Sequence, residues 1–598
     1  MTDKLDLAVI GNSVVGALLD KRARIVWYCL PRFDGDPFFS SLMDKDDTTS
    51  GFADVEMADL ASTEQAYARN TAILTTVLTD TRGGQIRITD FVPRFKRFER
   101  VYRPRMVVRR IEPVQGLCMV RLRVRPNFAW GSTQPTRTVG SNHLRYVGPD
   151  FTVRLTTDAP ISFIEEEAQF ALSAPIHMIF GPDETIEESP SHIFGAFHER
   201  TMEYWIDWTR YLSVPFEYQD AIIRSAITLK LCNFEDSGAI VAALTTSIPE
   251  APDSGRNWDY RYCWLRDAYF VVQALNQLGA TRTMEDYLNY ITTVIELEHG
   301  GDIKPVYGIL PDQSLEERVI TSLPGFKGMG PVRVGNQAYI QHQYDTYGSI
   351  ILAAAQMFYD RRLPKPGDEA LYARLELVGA KAAANAFTPD AGLWEFRGKA
   401  RVHTHSAAMC WAACSRLSKI GRLLGLDDRA AYWREEADRI RKGILEQGWN
   451  AELNSFTAGF GGDDLDASLL LLHEIGFIGA NDPRFIGTVD AITQRLRRGD
   501  HLIRYDAEDD FGLPEVSFVV CTCWYIDALS AMGRRDEARE LYEGILARRN
   551  HVGILSEDLN PMTGQLWGNI PQTYSMVGII LSGMRVSRTW EEAFWRGL

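Results

Sequence analysis

The sequence predicts a multidomain α and β chain, with an antiparallel β-sandwich over residues 1–195, a helical linker over 196–215 and a ring of paired helices over 216–598. Three observations predict it. Short β-branched runs separated by turn residues fill the first third. The pattern then switches to helical periodicity and keeps it to the end. The later helices are joined either by tight turns, as at Gly533, or by long segments rich in Gly, Trp, Asp and Glu. Paired helices whose long loops gather at one end form a toroid, and chemistry belongs where those loops meet.

In the first third, Ile73–Thr79, Gln85–Phe91, Met106–Ile111, Met119–Val124 and Phe151–Thr156 read as strands, with Arg82-Gly83-Gly84 as a turn. Several alternate apolar and polar residues, as in sheets with one wet face. Trp27–Phe39, reading WYCLPRFDGDPFF, is punctuated by Pro31 and Gly35. Its Arg32 and Asp34 form a charged pair that suits either a strand-ending turn or a loop reaching a neighbouring site.

Phe197–Tyr211 reads as the linking helix. Helical spacing then recurs in Ala221–Leu231, Ala268–Leu278, Met284–Leu297, Tyr347–Phe358, Ala370–Ala386 and His405–Leu424. It continues in Arg429–Gly443, Asp464–Ile475, Arg484–Arg497, Ser517–Met532, Arg535–Ala547 and Thr573–Val586.

Composition excludes several classes. The chain has 598 residues, 45% hydrophobic and 24% charged, ordinary values for a globular protein with a large core. A net charge of -15, from 64 basic and 79 acidic residues, argues against nucleic acid and for a neutral ligand. No run approaches the roughly 18 apolar residues of a membrane span. The N-terminus lacks the basic and apolar regions of a signal peptide, so a cytoplasmic location is expected. Eight cysteines are too few for a disulfide scaffold and read as buried thiols. No metal or cofactor is expected: His403 and His405 have the wrong spacing for a helical zinc pair, and Asp463, Asp464 and Asp466 suit a helix cap better than a calcium loop.

The densest chemistry lies in Arg256–Phe270, RNWDYRYCWLRDAYF. Its rings and paired charges suit a ligand with flat faces and many hydroxyls, such as a sugar. Later loops supply two carboxylates. Glu395 lies between Trp394 and Phe396, where an apolar surround favours the protonated form, although Arg397 opposes this. Glu557 lies among Ser556, Asp558 and Asn560, where a carboxylate stays ionised. An acid and an ionised base facing each other across a pocket are the parts of glycosidic hydrolysis.

Six segments in order carry a wider resemblance: WYCLPRFDGDP, RNWDYRYCWLRDA, GPVRVGNQAYIQHQYDTYG, GLWEFRGKARVHTHSAAMCW, DDLDASLLLL and SEDLNPMTGQLWGNIPQTYS. Together they resemble glycoside hydrolase family 15, the glucoamylase-like inverting α-glucosidases, in its bacterial two-domain form. The resemblance implies an N-terminal β super-sandwich, a helical linker and a catalytic (α/α)6 barrel. It implies Glu395 as general acid and Glu557 as general base, their carboxyls about 6.5–9.5 Å apart to admit a water. Arg256, Trp258 and Asp259, with Trp264, Arg266 and Asp267, correspond to the grip on the terminal glucosyl ring, and Trp394 and Arg397 frame the acid.

The implied activity is exo-acting release of glucose from a small α-glucoside. Trehalose is preferred over isomalto- and malto-oligosaccharides, because some bacterial relatives are trehalases and no starch-binding module is apparent. The alternatives are an inverting phosphorylase on the same architecture and a non-catalytic sugar-binding protein. The chain departs from the family at Asp558, where a glutamate is common, at Ile570, where phenylalanine is, and at Met576, where histidine is frequent.

Overall fold

The structure, a computed structural model, describes residues 5–45, 49–298 and 302–595. The first two residues of the long loop expected at Gly300–Arg333 lie outside these.

The N-terminal region is a sandwich of two antiparallel sheets. In one, Ala8–Gly11, Gly16–Leu19, Ile25–Leu30, Phe52–Met57, Cys118–Arg125 and Phe170–Leu172 lie side by side, and Asp36–Phe39 also pairs with Ile25–Leu30. The other runs Thr136–Val139, His143–Val147, Thr152–Thr157, Ile176–Pro182, Val107–Gln115, Gln85–Phe91, Leu74–Asp80 and Leu60–Tyr67. Leu74–Asp80 and Cys118–Arg125 bury alternate residues, as a two-layer core requires. All five strands expected from the sequence are present within a residue or a few of their ends.

After the short α1 (Ile161–Glu165), α2 (Pro190–Arg210) links the sandwich to the helical region. It begins earlier than its apolar periodicity suggests, because Ser189 caps it by accepting from the His192 N–H and Pro190 occupies its first turn. The helices that follow are α3 (Gln219–Leu231), α4 (Leu265–Gln277), α5 (Thr281–Leu297), α6 (Asp345–Tyr359), α7 (Glu369–Asn385) and α8 (Thr404–Leu423). Next come α9 (Asp427–Gln447), α10 (Leu471–Glu474), α11 (Pro483–Leu496), α12 (Val519–Ala531), α13 (Arg535–Arg548) and α14 (Thr573–Val586).

Six of these close an inner ring. α4 packs on α6, α6 on α8, and α8 on α10. The 3₁₀ turn Ala467–Leu470 leads from α10 to α12, which packs on α14, and α14 returns to α4. The other six lie outside: α3 on α14, α5 on α4, α7 between α6 and α8, α9 on α8, α11 on the 3₁₀ turn, and α13 on α12 and α14. This is an (α/α)6 barrel. Composition separates the two rings. α14 is buried around nearly its whole circumference, whereas α9 buries one stripe through Ala430, Trp433, Ala437, Ile440 and Ile444.

One expectation changes. Asp464–Ile475 is not a continuous α-helix: Asp466 accepts from the Ser468 N–H to start a 3₁₀ turn, and α10 adds only four residues before Gly476 takes φ +78°.

Sandwich and barrel share one continuous apolar core. Polar bonds cross the junction as well. The Trp27 indole donates to the Leu244 carbonyl at 2.9 Å, and the Asn550 amide donates to the Leu5 and Leu7 carbonyls. No described helix is long and apolar enough to cross a membrane.

Candidate active site

All six inner elements begin at the same end of the barrel. α4 starts after Trp264, α6 after Gln343 and Tyr344, α8 after the 392–403 turn, the 3₁₀ turn after Asp466, α12 after Phe518 and α14 after Gln572. Their N-terminal dipoles therefore point at the space between the long loops, where negative charge is favoured. That space is a pocket of about 850 Å³ including its mouth, within the range that holds a small ligand.

Glu395 and Glu557 both line it. Glu395 sits in a tight turn with φ +62°, its N–H donating to the Gly392 carbonyl and the Phe396 N–H to the Ala391 carbonyl. Behind the turn, Asp390 accepts from the Tyr344 N–H and the Ser406 hydroxyl. The apolar surround expected for Glu395 is corrected, because three polar donors converge on its Oε1. These are the Trp264 indole at 2.6 Å and the Arg266 guanidinium and Gln343 amide, each at 3.3 Å. Arg397 does not oppose it either, being paired with Glu317 at 3.1 and 2.8 Å.

Glu557 is also corrected. Its polar neighbours in the sequence do not keep it in water: the residue is only 1% exposed. Burial drives its carboxyl well above the ordinary carboxylate range, and the charge of Glu250 adds to this, against the Tyr260 hydrogen bond and Arg504. Tyr260 donates to Oε1 at 2.6 Å, while Oε2 is buried without a protein partner. Asp558, behind it, is fully buried, and both its carboxyl oxygens lack partners.

The opening segment of the barrel divides into two parts. Arg256, Trp258, Trp264, Arg266 and Asp267 line the pocket. Arg266 bonds Gln343 at 2.8 Å and Asp345 at 3.2 Å, which fixes its guanidinium beside Glu395. Burial pushes the Asp267 carboxyl up to about 7, opposed by Arg266, and its Oδ1 has no hydrogen-bond partner. The Tyr574 hydroxyl, on the same wall, is equally unpartnered. Buried polar atoms without partners are rare in proteins, and Asp267 Oδ1, the Tyr574 hydroxyl and Glu557 Oε2 all belong to residues that line this pocket.

Asp259 faces the other way. It is fully buried, takes Arg261 in a bidentate pair at 2.9 and 2.7 Å and does not line the pocket. Arg32 and Asp34 pair with each other at 3.0 and 3.2 Å and also lie off the pocket wall. Their turn reaches the site indirectly, because the Gly35 carbonyl accepts from Arg261 at 2.7 Å.

Trp394 lines the pocket beside the acid candidate, its indole held by Asp466 at 2.7 Å. Arg397 lies 4.3 Å from the centroid of the Trp258 ring, whose other partners include Phe511, edge-on at 5.3 Å. The rim is tied together by an ion pair and a backbone hydrogen bond. Arg256 grips Asp509 at 2.5 and 2.6 Å, and the Arg397 N–H donates to Asp510 at 2.7 Å.

Sequence reasoning passed over several pocket residues: Tyr260, Glu250, Arg504, Asp509, Gln572 and Tyr574. Tyr260 stood in plain view, two residues from Trp258 and four from Trp264. Glu250 gave no local signal, since only the fold brings it beside Arg504.

The comparisons agree with this geometry. Residues 217–583 match the sequence model of glycosyl hydrolases family 15, and residues 3–170 match that of a trehalase-like N-terminal domain. A protein named trehalase from Thermoplasma volcanium is 33% identical over 98% of this chain and 93% of its own length. One of the same name from Mycobacterium tuberculosis is 29% identical over 99% and 91%. The structure of a bacterial glucoamylase complexed with acarbose superposes with a TM-score of 0.70, at 14% identity, covering 98% of this chain and 95% of that one. With its family model spanning more than half the sequence, the chain is a glycoside hydrolase and belongs to glycosyl hydrolases family 15.

Proposed function

We propose that the chain is an inverting α-glucoside hydrolase whose substrate is trehalose, with Glu395 as general acid and Glu557 as general base. One observation carries the mechanism: the two carboxylates line one pocket, are held by different donors and share none. Two carboxylates held independently on one pocket are the parts that direct attack by water needs, one to protonate the leaving oxygen and one to take the proton of the water. Arg266 and Asp267 hold hydroxyls of the terminal ring, and Trp258 offers it an aromatic face.

In the reaction, Glu395 gives its proton to the glycosidic oxygen as the C1–O bond breaks. A water then attacks C1 from the opposite face and loses a proton to Glu557, so the two carboxyls exchange protonation states. The water oxygen stays on the released glucose. Trehalose, rather than a longer oligosaccharide, is supported by the relatives that carry its name.

The test is incubation with trehalose, maltose and isomaltose, following product anomers by proton NMR before mutarotation. Inversion of trehalose gives α- and β-glucose in equal initial amounts. Retention gives α-glucose alone and would remove the mechanism. Glucose 1-phosphate formed in phosphate buffer would transfer the assignment to a phosphorylase, and inactivity on all three sugars would remove the α-glucosidase reading.

A further inference from the structure

We infer that Glu250, outside the acid–base pair, is a positioning residue that holds Trp258 and Arg504 at the pocket wall and acts on Glu557 through its charge. The inference rests on the acid–base reading above.

Glu250 lines the pocket yet is only 3% exposed, so its carboxylate has little water around it. The protein supplies the missing partners. Oε1 accepts from the Trp258 indole at 2.9 Å, Oε2 is bonded by Arg504, and the Arg256 guanidinium stands 4.0 Å away. Its own N–H donates to the Arg256 carbonyl at 3.1 Å. One carboxylate thus fixes the aromatic face and a cation of the same pocket.

The backbone brings this group to the base. The Pro249 carbonyl accepts from the Gly568 N–H at 2.9 Å. Gly568, at φ +76°, lies directly against Glu557: a Cβ there would stand 2.6 Å from the Glu557 Cβ and 2.7 Å from its Oε2. The segment that carries Glu250 is therefore bonded to the residue on which Glu557 rests.

The groups acting on Glu557 come from several elements. Tyr260 donates to it, and Glu250, Asp267 and the adjoining Asp558 add carboxyls. Arg504 is the cation, but Glu250 already engages it, and Arg256 is engaged by Asp509. Negative charge from Glu250 in so dry a site disfavours a second charge on Glu557. A purely structural anchor would leave the base's titration where it was, and a charged one does not.

The experiment compares pH profiles of kcat/KM for the full chain and its Glu250→Gln, Glu250→Asp and Arg504→Gln variants, with folding checked by circular dichroism. The ascending limb reports ionisation of Glu557. In Glu250→Gln it moves to lower pH by about one unit, since both the like charge and the tether on Arg504 are gone. In Glu250→Asp, which keeps the charge, it stays within about half that shift. In Arg504→Gln it moves to higher pH.

An unmoved or raised limb in folded Glu250→Gln would overturn the inference. So would a Glu250→Asp shift equal to that of Glu250→Gln. If Glu250→Gln does not fold, Arg504→Gln decides alone, and a limb that stays or falls overturns it. If no α-glucoside is turned over, the proposed function fails but the inference is still testable by infrared titration. The protonated-carboxyl band absent from Glu557→Gln must then titrate at lower pH in Glu250→Gln, and an unchanged titration overturns the inference.

Discussion

Tyr260 and Trp264 meet edge to face, ring centroids 5.4 Å apart, and each directs its polar hydrogen at a different carboxylate. The Tyr260 hydroxyl holds Glu557 and the Trp264 indole holds Glu395, both at 2.6 Å. A five-residue stretch thus holds both carboxylates.

Tyr260→Phe tests one half of that arrangement. The phenol hydrogen bond favours the ionised form of Glu557, so its loss moves the ascending pH limb of kcat/KM to higher pH. A hydrogen bond to a charged group is worth about 1.5–3 kcal/mol, so turnover at neutral pH falls about 10- to 100-fold. Steady-state kinetics on trehalose across pH measures both effects.

Glu395→Gln separates acid from base. A variant without its proton donor loses about 100- to 10,000-fold on trehalose. It keeps most of its rate on α-glucosyl fluoride, whose leaving group needs little protonation. Glu557→Gln is slow on both substrates. Equal losses on the fluoride would exchange or dissolve the assigned roles.

Asp259→Ala is expected to damage the fold before the chemistry. The change leaves Arg261 buried without its carboxylate, at a cost of about 3–5 kcal/mol. Denaturant unfolding should show that loss, while the protein that remains folded binds sugar nearly as before. A normal unfolding midpoint with a weakened KM would return Asp259 to the sugar grip.

The raised titration of Glu557 also affects stability. Below its unfolded value of 4.5 the group is protonated in both states and contributes no difference. As pH climbs, the unfolded chain ionises while the folded one holds its proton, so stability drains away until the folded group also ionises. Glu557→Gln removes this loss. Its melting temperature should match wild type near pH 4 and exceed it at pH 9, by the equivalent of about 1 kcal/mol or more.

The architecture was legible because period-2 and period-3.6 patterns report burial directly. All five strands and eleven of the twelve barrel helices expected from the sequence are present as such, and the exception is the 3₁₀ turn at Asp466. The two glutamates were legible from their sequence context and the family resemblance, and both line the pocket. Their electrostatics were not. Ser556, Asp558 and Asn560 look polar in a row, but the strand Asp558–Leu559 takes Glu557 inside, where sequence neighbours no longer stand for solvent. Asp259 misled for the opposite reason. It sits in the right motif, and only the fold shows its side chain turned toward Arg261.

That turned pair has a consequence for how the molecule can be divided. Arg261 is buried by parts of both sandwich and barrel: Asp259 beside it, the Gly35 carbonyl, and the Trp130 ring 5.0 Å away. The residue next to it, Tyr260, holds Glu557. Cutting away the sandwich would expose that cation and loosen the segment that holds the Glu557 carboxyl, so the barrel is not a transplantable cassette. The N-terminal sandwich serves as a back plate to the pocket.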